Sequence, residues 1–245
     1  MKFSLILCTL GRFDDLDRLF QSLIEQTYQN FEVIVVDQND KGYLDNVVDK
    51  YKHSICIKHF NVDFVGLSKA RNFGLKHIDG GVVAFPDDDC WFGDDCLLEK
   101  ILGLFKSDSS VDAFSMPVTN EEGVQVVIPW LSYDSPVTKN NIFNTVTSIS
   151  VFMKKKVVDQ VGGFDENMGV GSPGIIGSGE DADYFLRIIS TFSMYYKSDL
   201  SINHPIIIQQ MNRESCKKAY AYGVGLGYIL KKSQFFFIFQ IEAFV

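Results

Sequence analysis

Residues 81–89 read GVVAFPDDD, from Gly81 to Asp89. Gly81 to Phe85 is a short apolar run of the kind that fills a buried strand. Asp87, Asp88 and Asp89 follow at its carboxyl end. Without a counter-charge these three groups repel one another. Oxygen-rich clusters of this sort suit Mg²⁺ or Mn²⁺, and Mg²⁺ is typically held by one or two carboxylates together with substrate phosphates. The same stretch also reads as a solvated acidic turn ahead of the next helix.

Working outward, strand and helix signals alternate at short intervals. Lys2 to Thr9 reads as a strand. Phe13 to Tyr28 reads as a helix, with Leu16, Leu19, Phe20, Leu23 and Ile24 at helical spacing and Asp14 and Asp15 near its positive end. Phe31 to Asp37 (FEVIVVD) is a near-continuous apolar strand, as a sheet covered on both faces requires. Asp45 to Tyr51 is a helix, Ser54 to Phe60 a strand, and Leu67 to His77 a helix introduced by Gly66. Beyond the quoted stretch, Asp94 to Phe105 reads as a helix and Val111 to Pro117 as a strand. Such alternation specifies an α/β fold with a right-handed, mostly parallel sheet flanked by helices. Ligands gather beyond the carboxyl ends of such strands, where Thr9, Asp37 and Asp87 stand.

The second half is less regular. Thr119 to Asn144 reads as an irregular excursion, Val146 to Met153 as a strand and Lys154 to Val161 as a short helix. A loop with seven glycines runs from Gly162 to Gly179. Ala182 to Thr191 and Arg213 to Lys232 are helical, the latter despite Gly223, Gly225 and Gly227. With no repeat and no low-complexity linker, one domain is the economical reading of 245 residues.

Hydrophobic residues make up 46% and charged residues 22%, a globular composition with a substantial core. The net charge of −8, with no concentrated basic face, argues against nucleic acid as a partner. Five cysteines, an odd number without CxxC spacing, and no leader before the first strand point to a reducing cytoplasm. Cys8 and Cys56 read as small buried hydrophobes.

Two further clusters stand out. In Gly179-Glu180-Asp181-Ala182-Asp183 an acidic pair opens a helix, where it either faces a cleft or simply complements the helix dipole. In Gly66-Leu67-Ser68-Lys69-Ala70-Arg71 a glycine and a serine open a helix with a cation one turn in. Arg71 either faces a diphosphate or is a solvated surface residue. The single GxGxxG match, Gly169 to Gly174, lies inside the glycine-rich loop and not between a strand and a helix, and GxxxxGK[ST] does not occur, so an NAD-dependent oxidoreductase and a P-loop enzyme lack support.

In their order along the chain, Thr9…Arg12, Val36-Asp37, Gly66-Leu67-Ser68-x-Ala70-Arg71-Asn72-x-Gly74, Phe85-Pro86-Asp87-Asp88-Asp89 and Gly163-Phe164-Asp165-Glu166…Gly179-Glu180-Asp181-x-Asp183 resemble the family 2 glycosyltransferases. The resemblance spans about the first 205 residues. Each motif alone is weak to moderate, but five in this order are highly specific.

The resemblance implies a GT-A (Rossmann-like) fold with a C-terminal helical segment. The glycosyltransferase domain would occupy residues 1–212, with a nucleotide-binding half (1–118) and an acceptor-binding half (119–212). Residues 213–245 would add a helix and an apolar tail. It implies a metal-dependent, inverting transfer of a single sugar from a nucleotide-sugar donor, expected to be a UDP-sugar, to a glycan or lipid-linked acceptor, as in bacterial surface polysaccharide assembly. Thr9, Arg12, Asp37, Ser68, Arg71, Asp87 and Asp88 would bind the donor, Asp37 by accepting the uracil N–H. Asp89, with His204 as a further contact, would hold Mn²⁺ or Mg²⁺. Asp181 would be the general base with Glu180 beside it. The residues alone leave His204 as a structural histidine, and His53, His59 and His77 match no motif.

One base and no enzyme nucleophile give inversion at the anomeric carbon, by the logic that separates single from double displacement in glycosidases. The Gly162 to Gly179 loop is a flexible loop or a mobile flap that excludes water. Trp91 and Trp130 either face a sugar or belong to the core. Gln209 to Arg213 only echoes the QxxRW of processive synthases, which favours single-sugar addition. Phe235 to Val245, preceded by Lys231 and Lys232, is too short to span a bilayer. It is expected to rest on the cytoplasmic face of the membrane, or else on the core or a dimer partner. A sugar nucleotidyltransferase would carry a glycine-rich basic loop after the first strand, which Cys8 to Arg12 lacks. A non-catalytic sugar-nucleotide-binding protein is the remaining alternative.

Overall fold

Seven consecutive buried residues form the first strand, β1 (Phe3–Thr9), and seven more form β2 (Phe31–Asp37). Such strands need cover on both faces. Helices α1 (Asp14–Ile24), α2 (Asp45–Tyr51), α3 (Leu67–Leu75) and α4 (Leu97–Ser107) supply it in the first half. The remaining strands there are β3 (Ile57–Asn61), β4 (Val82–Ala84), β5 (Ala113–Ser115) and β6 (Val118–Thr119). The second half adds β7 (Ser135–Pro136), β8 (Val151–Lys154), α5 (Lys155–Val161), α6 (Glu180–Ile189), β9 (Met194–Tyr196), β10 (Ile202–Asn203) and α7 (Arg213–Lys232). The computed structural model describes residues 1–206 and 212–235. The apolar tail beyond Phe235 and most of the Gln209 to Arg213 stretch lie outside the described residues.

The main sheet runs in the order β3-β2-β1-β4-β8-β5-β9-β7. The first four strands are parallel, β8 runs against both β4 and β5, β9 is parallel to β5, and β7 runs against β9. The two halves of the chain therefore share one sheet. Register sets up the site. Thr9 pairs with Asp37, and an isolated bridge from Cys8 to Asp87 carries the β1–β4 alignment past the end of β4. Thr9, Asp37 and Asp87 thus stand in a row at the carboxyl edge.

Helix α3 lies directly on β1 and β2. A Cβ at Gly74 would come within 2.5 Å of Ile6 Cγ2, so only glycine permits this approach. Arg71, one turn earlier, is carried down with it. Gly66 precedes the helix at φ +137°.

Several boundaries differ from the sequence expectation. Strand β3 starts at Ile57 rather than Ser54, because the amides of Ser54 and Ile55 both fold back onto the Tyr51 carbonyl. Cys56 falls in that turn and is exposed, whereas Cys8 is buried as expected. The expected strand from Val146 opens as a 3₁₀ turn, Ser148–Ser150, capped reciprocally by Thr147 and Ser150. Short hydroxyl side chains favour such local bonding over a ladder. Strands β9 and β10, at three and two residues, were not anticipated. No helix among the described residues is long and apolar enough to cross a membrane.

Candidate active site

The two acidic clusters meet on one arginine. The Arg71 side chain is only 2% exposed. Its Nη1 donates to Asp181 Oδ1 at 2.9 Å and lies 3.6 Å from Glu180 Oε1. Its Nη2 donates to Ser148 Oγ at 2.7 Å and to Asp87 Oδ1 at 3.4 Å. Asp87 and Asp181, 94 residues apart in sequence, are therefore bridged by a single buried guanidinium. This geometry replaces the solvated-surface reading of Arg71. The side chain is buried among carboxylates, because the Gly74 contact seats its helix against the sheet.

Asp181 sits in the first turn of α6, which Gly179 opens in a left-handed conformation. Its Oδ2 accepts from the Ser148 amide at 3.0 Å. The Arg71 and Ser148 bonds occupy two of about four lone-pair sites on the carboxylate, so it retains capacity to accept a proton. Glu180 faces inward and is buried. Burial, reinforced by Asp181, pushes its pKa up to about 8. Loss of water pushes Asp87 up to about 6, with Asp181, Asp89 and Asp88 adding repulsion against the pull of Arg71.

At the other end, Arg12 contacts Asp89 Oδ2 and lies 3.4 Å from Asp88 Oδ1. Burial raises the Asp88 pKa despite a lowering contribution from Thr9 and Arg12. Asp89 is also desolvated, yet His204 and Arg12 together hold it below the ordinary carboxylate value. His204 arrives from the strand pair β10–β6. Trp91 and Asn203 exchange backbone hydrogen bonds at 3.0 Å, and the His204 amide donates to Thr119 at 2.9 Å. Its Nδ1 lies 2.8 Å from the Pro205 carbonyl and its Nε2 lies 3.1 Å from Asp89 Oδ1. With Nδ1–H donated to Pro205, Nε2 faces the carboxylate either as a second N–H or with a lone pair. A lone pair there needs a cation between the two atoms. The Asp89 contacts raise the His204 pKa against its burial.

Asp89 and His204 fit a divalent ion. Adjacent donors in an octahedral shell at Mg²⁺ distances stand about 3 Å apart, and these two atoms do. Among the described residues no group of three or more His, Cys, Asp or Glu side chains is arranged as a complete ligand set. A substrate phosphate would have to fill the remaining positions, the usual arrangement for Mg²⁺.

The cleft beside these groups has a volume of about 350 Å³. Arg12, the three aspartates and His204 line it. Gln38, Lys218 and Tyr222, absent from the sequence-derived site, line it as well. Asp37 does not. Its side chain is fully buried, with Oδ1 accepting from the Asn39 amide and Nδ2 and Oδ2 lying 2.9 Å from His59 Nε2. His59, matched to no motif, is thus a partner of Asp37. Neighbouring positions at a strand end face opposite sides, which gives the cleft to Gln38. The Ser68 hydroxyl is likewise engaged, donating to the Met168 carbonyl at 2.7 Å.

That bond belongs to a series. Leu67 N donates to Val170 O, and Asn72 both donates to Phe164 O and accepts from Phe164 N. The first part of the glycine-rich loop is therefore stitched to α3. Trp130 is core, stacked on Tyr196 and bonded to the Val126 carbonyl. Trp91 lies 4.0 Å beneath the Arg18 guanidinium.

The model of glycosyl transferase family 2 matches residues 4–159. An uncharacterized glycosyltransferase of Rickettsia conorii is 26% identical over 193 residues, covering 79% of this chain and 31% of that protein. The poly(ribitol-phosphate) β-N-acetylglucosaminyltransferase TarS of Staphylococcus aureus is 30% identical over 128 residues, 51% of this chain and 22% of its own. The chain spans about a third of the length of the first curated relatives it matches. Among solved structures, residues 1–349 of TarS with UDP-GlcNAc superpose with a TM-score of 0.67 at 20% identity, covering 88% of this chain and 61% of that one. The mannosyltransferase PcManGT of Pyrobaculum calidifontis, with GDP-Man and Mn²⁺, gives 0.68 at 14% identity, covering 96% and 65%. These likenesses establish the GT-A fold, and with the family match over residues 4–159 the chain belongs to glycosyl transferase family 2.

Proposed function

We propose that the protein is an inverting transferase that moves one sugar from a UDP-sugar to a hydroxyl of a glycan or lipid-linked acceptor. The observation that carries this reading is the Arg71 bridge, which joins Asp181 to the cleft-lining Asp87. UDP-GlcNAc in TarS supports the uridine donor, and Mn²⁺ in PcManGT supports a divalent metal. Asp89 and His204 would hold Mn²⁺ or Mg²⁺, which neutralises charge on the leaving diphosphate. Residues 1–118 would serve the donor and 119–212 the acceptor.

Asp181 then accepts the acceptor hydroxyl proton as its oxygen attacks the anomeric carbon from the face opposite the leaving group. The bond from that carbon to the phosphate oxygen breaks, and its electron pair leaves with the nucleoside diphosphate. Arg71 and the Ser148 amide hold the Asp181 carboxylate in place. The outer side of α7, with Tyr220 exposed and Lys231 near its end, would rest with the apolar tail on the cytoplasmic face of the membrane.

Release of UDP from UDP-sugars in the presence of Mn²⁺ tests the reading. Asp181→Asn is expected to slow transfer by about 10²–10⁴-fold while donor binding is retained. Full turnover in that variant would remove Asp181 from the base role. Donor binding without any release by the wild type would favour a non-catalytic binding protein.

A further inference from the structure

The positive charges around the cleft are unequally available. Arg71 is enclosed by Asp181, Asp87 and Glu180, and Arg12 is paired with Asp89, Asp88 and Asp15. Both guanidiniums already answer carboxylates. Lys218 also lines the cleft, from α7, and forms no ion pair among the described residues. Its Nζ stands 5.4 Å from the ring centroid of Tyr222, one helical turn on, and both side chains border the same space as the three aspartates.

Helix α7 is held tightly in this position. A Cβ at Gly225 would lie 2.4 Å from the Ser178 carbonyl, so the helix touches the backbone just ahead of Glu180 and Asp181. The Ser178 hydroxyl donates to the Tyr222 carbonyl at 3.1 Å. Lys218, Tyr222, Gly225 and Ile229 recur at helical spacing, and Gly225 and Ile229 are the buried positions of the helix. The face that docks α7 is therefore the face that carries Lys218 and Tyr222 to the cleft.

We propose that Lys218 is a phosphate-binding residue for the donor's diphosphate and that Tyr222 positions it. This assignment rests on the nucleotide-sugar reading above. When the bond to the anomeric carbon breaks, negative charge grows on the departing diphosphate. The Lys218 ammonium meets that charge without any proton transfer, as a charge-assisted hydrogen-bond donor. A flat aromatic face beneath the ammonium holds it while leaving its N–H groups free.

Calorimetric titration of the full chain with UDP and with GDP in Mn²⁺, and with uridine by competition, tests the proposal. Lys218→Ala is expected to weaken UDP binding about tenfold, as loss of one charged hydrogen bond does. Uridine affinity and melting temperature should be unchanged, and the salt dependence of UDP binding should flatten. Lys218→Arg should recover most of the loss, and Tyr222→Ala should weaken UDP about threefold without affecting uridine. Unaltered UDP affinity in Lys218→Ala, or an equal loss for uridine, overturns the assignment while leaving the transferase reading intact. A wild type that binds neither UDP nor GDP takes both down together.

Discussion

Two clusters at the site, joined through the three consecutive aspartates, each hold carboxylates with one arginine, but they do so in opposite ways. The Arg71 side chain is 2% exposed, whereas that of Arg12 is 44% exposed. Arg71 meets groups from β4's end, the 3₁₀ turn and α6, so it joins distant parts of the chain. Arg12 meets groups that register already places next to it. The first arrangement fixes the site. The second is open to water and to an incoming ligand, and it shares Asp89 with the His204 corner that suits a metal. One acidic site thus has a rigid end and an exchangeable end.

The largest expected effect tests the rigid end. Arg71→Ala leaves Asp181, Glu180 and Asp87 without a counter-charge. Removing one partner of a buried ionic cluster costs about 3–5 kcal/mol. Chemical denaturation should show a loss of that size and a lower melting temperature. A loss below about 1 kcal/mol, as for an exposed pair, would mean that the bridge does not organise the site.

The same contrast explains what the sequence made legible. Thr9, Asp37 and Asp87 were readable as a row because strand ends and parallel register follow from short apolar runs. Strand β2 runs over the span expected, since its apolar content is nearly continuous, and helix α2 also keeps its expected bounds. Side-chain direction was harder. Asp37 and Gln38 are neighbours, and a half-turn of backbone decides which one faces the cleft. The clue to Arg71's burial was present in Gly74, three residues on along the same helix face, a position where only glycine fits. Ser148 and His204 depend on a 3₁₀ turn and a two-residue strand, elements too short to leave a periodic trace. Lys218 and Tyr222 depend on how α7 crosses the glycine-rich loop, a long-range contact that no local pattern encodes.

A smaller effect separates the two members of the acidic pair on α6. Glu180 has a raised pKa, from 4.5 to about 8. In the unfolded chain it ionises near 4.5, so between these values the folded state holds more protons. Stability therefore falls as pH rises through that window, and the full penalty is present above about 8. Glu180→Gln is expected to stabilise the protein at pH 9 by on the order of 2 kcal/mol. The gain should shrink on acidification and vanish below pH 4.5. Melting temperatures across that range check it. A pH-independent difference would show that Glu180 carries no buried charge.

The smallest effect belongs to the exchangeable end. Arg12 is nearly half exposed, so its pairs with Asp88 and Asp89 are screened by solvent and should contribute only about 0–1 kcal/mol to folding. Arg12→Ala should therefore unfold at almost the wild-type denaturant midpoint. Its consequence should appear in metal binding instead. Arg12 contacts Asp89 Oδ2, while His204 faces Oδ1 of the same carboxylate. Removing the guanidinium takes a positive charge away from that corner, so Mn²⁺ titrated in the absence of nucleotide should bind more tightly to the variant than to the wild type. Equal or weaker Mn²⁺ binding would place the cation elsewhere and erase the distinction between a fixed end and an exchangeable one. A stability loss matching that of Arg71→Ala would erase it from the other side, by showing that both arginines are structural pins.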